Sequence, residues 1–280
     1  MFIHQNATKN TYIFFRAWIL GIWLFLIVCS PVSSLSELSL IGEYSPGFLV
    51  RCFPEGFISW LFQPGSLVAL KGILILGLFC MLFRFCSKSA GIILCFLLTV
   101  YLGMLSGIGE PTHTELCLLY GIYFLVLFEW ADGVYKPRDK DLQVSSYGLP
   151  LAAICTTLCF TYAYIGLHRV ANGGLGLFLD DSIYYWIIEN SHKPKVFLFG
   201  PLDTLLYEHN WLRFLIKAGF PVFTVLEILA PLALFHRSFR AVFVIGMVFF
   251  HAFNWLFMGI VYWENILMLA LFIEPAKRSS

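Results

Sequence analysis

The chain has 280 residues, 59% of them hydrophobic and only 12% charged, and its mean hydropathy is +0.80. A soluble domain is about a quarter charged, so this composition excludes one and points to an all-α polytopic membrane protein. The net charge of +1 offers no basic face to a nucleic acid.

Apolar runs near the roughly 20 residues a bilayer requires lie at 12–30, 65–85, 90–107, 114–130, 150–170, 212–235, 240–258 and 261–275, the last one shorter. They predict about eight transmembrane helices. The first run, FFRAWILGIWLFLIVCS, is long enough to span, although Lys9 and Arg16 ahead of SPVSS also have the order of a signal peptide. The abundant Phe, Tyr and Trp suit lipid-facing and interfacial positions. Of the 8 Cys, Cys52 falls well inside a loop, and there is no C-x-x-C. Cys155 and Cys159 are one helical turn apart and read as small apolar fillers.

Lys and Arg are biased to one side of this arrangement. Lys9, Arg16, Arg84, Lys88, Lys136, Arg138, Lys140, Arg237, Arg240, Lys277 and Arg278 fall on the side of the termini. The loops on the other side carry only Arg51, Lys193, Lys195 and Arg213. Both termini are therefore predicted cytoplasmic, as in a multi-pass protein of a bacterial inner membrane. Two outer loops are long. The first, 31–64, carries turn signals at Tyr44-Ser45-Pro46-Gly47 and Gln63-Pro64-Gly65. The second, 171–211, is expected to hold short interfacial helices. Asp181 or Ser182 can cap IYYWIIEN there, and Pro201 can open LDTLLYEHN. With no internal repeat and one polar cytoplasmic linker, ADGVYKPRDKDLQVSSYG, a single domain over 1–280 is the economical reading.

Polar groups inside apolar runs are costly and mark sites. His251 and Asn254 lie in FVIGMVFFHAFNWLFMGIVYW at i, i+3, with Met258 at i+7, so a helix puts them on one face. Lys217, Phe220, Thr224 and Glu227 share a face of span 6, where Pro221 removes a backbone donor and is expected to kink the helix. Lys71 lies two turns inside span 2, and His113 and Glu115 stand at the start of span 4. His168 and Arg169 close span 5, and Glu264 opens span 8. All except Glu227 come out in the outer half of the membrane or at its edge, the pattern of a buried site reached from outside.

Each has a plainer role. Lys71 can snorkel to headgroups and Arg169 can anchor a helix end. Glu115 and Glu264 can serve helix dipoles, and His251 with Asn254 can fix packing. No H-E-x-x-H, no His pair at i, i+4 and no nucleophile elbow are present, so no metal is expected.

These residues bring a family into view. Phe15-Arg16 opens span 1, and His113 precedes span 4. YAYIGLHRV has Tyr, Gly and a cation three residues after the Gly. LEILAPLALF joins an acid to a proline, and FFHAFNWLFMGI carries a His near the end of the bundle. In order and spacing the chain resembles the horizontally transferred transmembrane (HTTM) domain family, which includes the membrane part of vitamin K-dependent gamma-carboxylase.

The resemblance implies a membrane enzyme fold open to the extracytoplasmic side and a reduced quinone, a naphthoquinol or menaquinol, as cofactor. It places the family acid at Glu227, the family His at His251 and the family base, a lysine, at Arg169. Arginine stays protonated and cannot act as a base. The neighbouring His168 is an imidazole, but it points about 100° around the helix.

His251, Lys217, His113 and Arg169 are thus the candidate catalytic residues, with Asn254, Glu227, His168 and Lys71 as candidate cofactor contacts. On this reading Arg169 and Lys217 bind an anionic group, His251 or His113 moves a proton, and Glu227 neutralises Lys217. The expected partners are membrane lipid and a peptide or protein substrate. The function classes in view are three: a quinol- or lipid-dependent enzyme acting on a peptide or lipid at the outer leaflet, a non-catalytic partner or maturation factor, and a small-molecule transporter. The last is disfavoured by the lack of repeat symmetry.

Overall fold

The computed structural model describes residues 2–30, 48–85, 88–105, 114–131, 147–174, 176, 180, 182–191, 204–258 and 262–273. Among the described residues the secondary structure is helical, without strands. Helical stretches stand at all eight apolar runs. Five of them, Lys9–Cys29, Pro64–Leu82, Lys88–Leu105, Gly148–Gly173 and Arg237–Met258, are long and apolar enough to cross a membrane. Leu116–Ala131 and Trp263–Phe272 are apolar but shorter.

The chain divides into two compact units, Asn6–Ile154 and Cys155–Ser280 with Met1–Gln5. The first unit holds α1 (Lys9–Cys29), the short α2 (Phe48–Arg51) and α3 (Glu55–Leu61), α4 (Pro64–Leu82), α5 (Lys88–Leu105) and α6 (Thr114–Ala131). Thr8 caps α1 by accepting from the Thr11 backbone N–H, and Pro64 opens α4 at the position that needs no donor. Trp23 of α1 is fully buried, and its indole N–H donates to the Leu118 carbonyl at 3.2 Å. Lys71 of α4 donates to the Val28 and Ser30 carbonyls at 2.9 and 3.0 Å, satisfying the exposed end of α1.

α4 shows how these helices are patterned. Leu67, Leu70, Leu74, Leu78 and Met81 recur at helical spacing and are buried. The opposite face exposes Val68, Ile73, Leu76 and Phe79. An exposed face this apolar suits a bilayer and is foreign to a soluble monomer. α4 ends in a reversal in which the Phe85 N–H returns to the Cys80 carbonyl and the Arg84 N–H to Met81. Arg84 occupies the left-handed region, φ 60°, where helix ends favour glycine. For a residue with a Cβ that conformation costs about 1 kcal/mol.

The second unit takes over within α7 (Gly148–Gly173). It continues with α8 (Ser182–Ser191), α9 (Thr204–Glu208), α10 (Asn210–Ile228), a 3₁₀ turn at Ala230–Leu234, α11 (Arg237–Phe253) and α12 (Trp263–Met268). α8 and α9 are the short helices expected in the 171–211 loop. Pro201, expected to open the second of them, lies outside the described residues. Ile183, Ile187 and Leu206 of these helices pack with Ile216, Phe220, Phe257 and Met258. Arg213 of α10 donates to the Leu206 carbonyl, and its guanidinium lies 4.6 Å from the Tyr184 ring centre.

α10 continues as a helix through Pro221. Gly166 of α7 and Gly246 of α11 bring helices close. A Cβ on Gly166 would stand 2.9 Å from Ile228 Cγ1 and 3.1 Å from both Glu227 Cβ and the Ile228 nitrogen, and one on Gly246 would meet Leu226.

Candidate functional site

The site is assembled on three helices of the second unit. On α7, Tyr162, Gly166 and Arg169 follow at i, i+4, i+7 and share a face. On α10, Phe220, Thr224 and Glu227 follow the same spacing and are all buried. On α11, Phe250 and His251 occupy the last turn and are buried. The close approach at Gly166 lays the Arg169 face of α7 against the Glu227 end of α10.

Arg169 Nη1 donates to Glu227 Oε2 in an ion pair, with the arginine side chain 21% and the glutamate side chain 1% exposed. The guanidinium carbon lies 5.5 Å from the Phe220 ring centre and 5.4 Å from that of Phe250, close enough for cation–π attraction. Glu227 is therefore neutralised from another helix. The sequence reading gave that role to Lys217. Lys217 is ten residues earlier on α10, about 15 Å along the axis at the helical rise, and is half-buried.

His251 Nε2 and the Tyr162 hydroxyl share a hydrogen bond of 2.8 Å. The imidazole is boxed by aromatic rings, with centres 5.7 Å away at Phe250, 6.0 Å at Tyr162 and 5.5 Å at Tyr262. Tyr162 itself lies edge-on to Phe243. His251 Nδ1 is buried and has no hydrogen-bond partner among the described residues. A buried ring nitrogen without a partner is costly and calls for an explanation. The state of Nδ1 follows from its neighbour: if Tyr162 donates to Nε2, then Nδ1 carries a proton to give, and if Nε2–H donates to Tyr162, Nδ1 is free to accept one.

Beyond His251 the helix changes form. Asn254–Met258 is a π-helical turn. The simple i, i+3, i+7 face expected for His251, Asn254 and Met258 is replaced by a wider turn that still buries Asn254 and Met258. Such turns are rare and gather at functional sites. Glu264 and Asn265 at the start of α12 are buried too, and Asn265 Oδ1 has no partner among the described residues.

Of the sequence candidates, His251, Arg169 and Glu227 are brought together, with Asn254 one turn beyond. His168 is exposed on another face of α7, where it stacks on Tyr164 and bonds to Asn172. Lys71 belongs to the first unit and serves the end of α1. His113 lies outside the described residues, as does the side chain of Glu115.

Tyr162 and Phe250 complete the site with Phe220; Phe220 was placed on the Glu227 face by its spacing, whereas Tyr162 and Phe250 were not singled out by the sequence. The i+7 spacing from Tyr162 to Arg169 is the signal that could have found the tyrosine. Among the described residues no group of three His, Cys, Asp or Glu could hold a metal. The chain matches no family model, no curated protein and no solved structure.

Proposed function

We propose that the chain is a polytopic membrane enzyme of eight spans, with both termini cytoplasmic and an HTTM-like arrangement, that moves a proton at His251 Nδ1 on a membrane-borne substrate. The class is a reduced quinone acting with a peptide or lipid at the outer leaflet. The observation that carries this reading is the buried Nδ1 of His251, without a partner among the described residues, on an imidazole ringed by Tyr162, Phe250 and Tyr262, with Phe250 also meeting the ion-paired Arg169 guanidinium.

The residues fit a quinol. Phe250 and Phe220 offer flat apolar surface, and Nδ1 offers a hydrogen bond to a ring oxygen. Among the described residues Arg169 uses Nη1 alone on a carboxylate, leaving further N–H donors. A reduced naphthoquinone, when bound, supplies electrons and an ionisable hydroxyl. His251 takes or returns the proton, with Tyr162 setting the tautomer through Nε2. Arg169 stabilises negative charge that develops beside it. It does so without acting as a base, which is where this chain departs from the family it resembles. Glu227 balances the guanidinium so that the site is not left with an uncompensated cation.

Mass spectrometry of the gently extracted protein tests this. A naphthoquinone retained near one per chain, and lost from His251→Gln and Arg169→Met while the helical signal persists, is the expected result. Wild-type protein without quinone, or variants that retain it fully, would end the proposal.

A second reading, a non-catalytic maturation partner, draws on Tyr185 and Trp211, which stay exposed on and beside the α8–α9 segment. Aromatic residues of this kind anchor protein interfaces. A stoichiometric co-purifying protein, lost on Tyr185→Ala and Trp211→Ala but kept in His251→Gln, would favour it.

A further inference from the structure

A second polar concentration lies in the first unit and takes no part in the reading above. A cavity of about 350 Å³ opens at one end of this unit, where α1 and α5 begin and α4 and α6 finish. Its charged lining is Lys9, Arg16, Arg84, Lys88 and a single acid, Glu129.

The buried part is already satisfied. Arg16 Nε donates to Glu129 Oε1 at 2.5 Å and Nη2 to the Met81 carbonyl at 2.5 Å, while the Tyr12 hydroxyl donates to Glu129 at 3.3 Å. Arg16 is only 3% exposed. This leaves Lys9, Arg84 and Lys88 at the exposed mouth, while Glu129, the one carboxylate among the lining residues, is already paired with Arg16. Lys88 donates to the Trp130 carbonyl, a neutral partner.

Arg84 makes the arrangement more than a charge bias at a helix end. It occupies the left-handed position that glycine fills without strain, and its side chain lines the cavity. A strained residue that persists where an unstrained one would serve the backbone better points to its side chain. Beside it, Phe83 and Phe85 are exposed, and Phe79, Phe83 and Phe85 form a ladder of stacked rings with centres 6.3 and 6.2 Å apart.

We infer that this cavity binds a phosphate group, with Arg84, Lys88 and Lys9 as its ligands and the Arg16–Glu129–Tyr12 network as its fixed floor. Guanidinium and ammonium groups converging on one anion are the standard recognition chemistry for phosphate. The phosphate arrives either on the headgroup of an anionic phospholipid, whose chains lie along the Phe79–Phe85 ladder, or on a soluble compound. A bilayer surface rich in anionic lipid attracts such a cation cluster.

Thermal unfolding of the full chain in neutral detergent separates these. Dioleoyl phosphatidylglycerol is expected to raise Tm where phosphatidylcholine does not. Inorganic phosphate at the same concentration producing the same rise would identify a soluble source, and no rise with phosphate would identify the lipid. Arg84→Gly is the informative variant. It is expected to raise Tm without lipid, by relieving the backbone, yet to bind phosphatidylglycerol about tenfold more weakly, the worth of one charge-assisted bond. Lys88→Gln is expected to weaken binding without the gain in Tm. Equal response to both lipids and no response to phosphate, or full lipid response in Arg84→Gly and Lys88→Gln, would overturn the inference.

Discussion

Arg169 and Glu227 form a pair whose members depend on each other. Burying either charge alone is penalised far more than burying both. Arg169→Met and Glu227→Gln should therefore each destabilise the protein by about 3 kcal/mol, read as a lower unfolding midpoint in detergent. The double variant should lose less than the sum of the two, because it strands no charge. Additive losses would show that the ion pair contributes nothing as a pair.

Tyr162→Phe tests the neighbouring bond in another way. It removes the partner of Nε2 and leaves a buried imidazole with neither nitrogen met among the described residues, at a cost of about 1–3 kcal/mol. Quinone retention should fall with it if Tyr162 sets the tautomer. Retention unchanged, with the midpoint lowered, would reduce Tyr162 to a packing role.

Helices meet where glycines let them. Gly166 faces the backbone nitrogen of Ile228 at 3.1 Å from an added Cβ, and backbone cannot step aside as a flexible side chain can. Gly166→Ala should separate α7 from α10 and cost about 1–3 kcal/mol, and the Arg169–Glu227 pair should loosen with it. Gly21, in the middle of α1, meets nothing within 4 Å. Gly21→Ala is therefore the matched control, expected to be neutral or slightly stabilising through helix propensity. Equal effects of the two substitutions, measured by unfolding midpoint, would refute the close-approach account.

The π turn at Asn254–Met258 belongs to this scale as well. It adds width to α11 beyond His251 and so re-aims Asn254 and Met258, which no 3.6-residue pattern could foretell.

At the scale of the whole chain, eight spans would return the C-terminus to the side of the N-terminus. Reporter fusions at the two ends should therefore report the same compartment, and the α8–α9 segment should be reached by a water-soluble reagent only from the other side. Opposite signals from the two ends would sink the eight-span arrangement while leaving the five long apolar helices in place.

The membrane character, the helical class and the approximate limits of the helices were legible in the chain itself. Apolar runs near 20 residues have few other uses. His251, Arg169 and Glu227 stood out for a related reason, since a polar group in an apolar run is conspicuous whatever it touches. Which of them meet was decided only by tertiary structure. Glu227 has Lys217 on its own helix face and Arg169 58 residues away in sequence, and the approach of α7 to α10 at Gly166 selects the distant one. The Arg16–Glu129 floor, formed across 113 residues, stayed hidden for the same cause. Burial and periodicity are properties of one segment and can be read along it. A contact is a property of two segments, and its choice rests on packing distances set by side chains elsewhere in the fold.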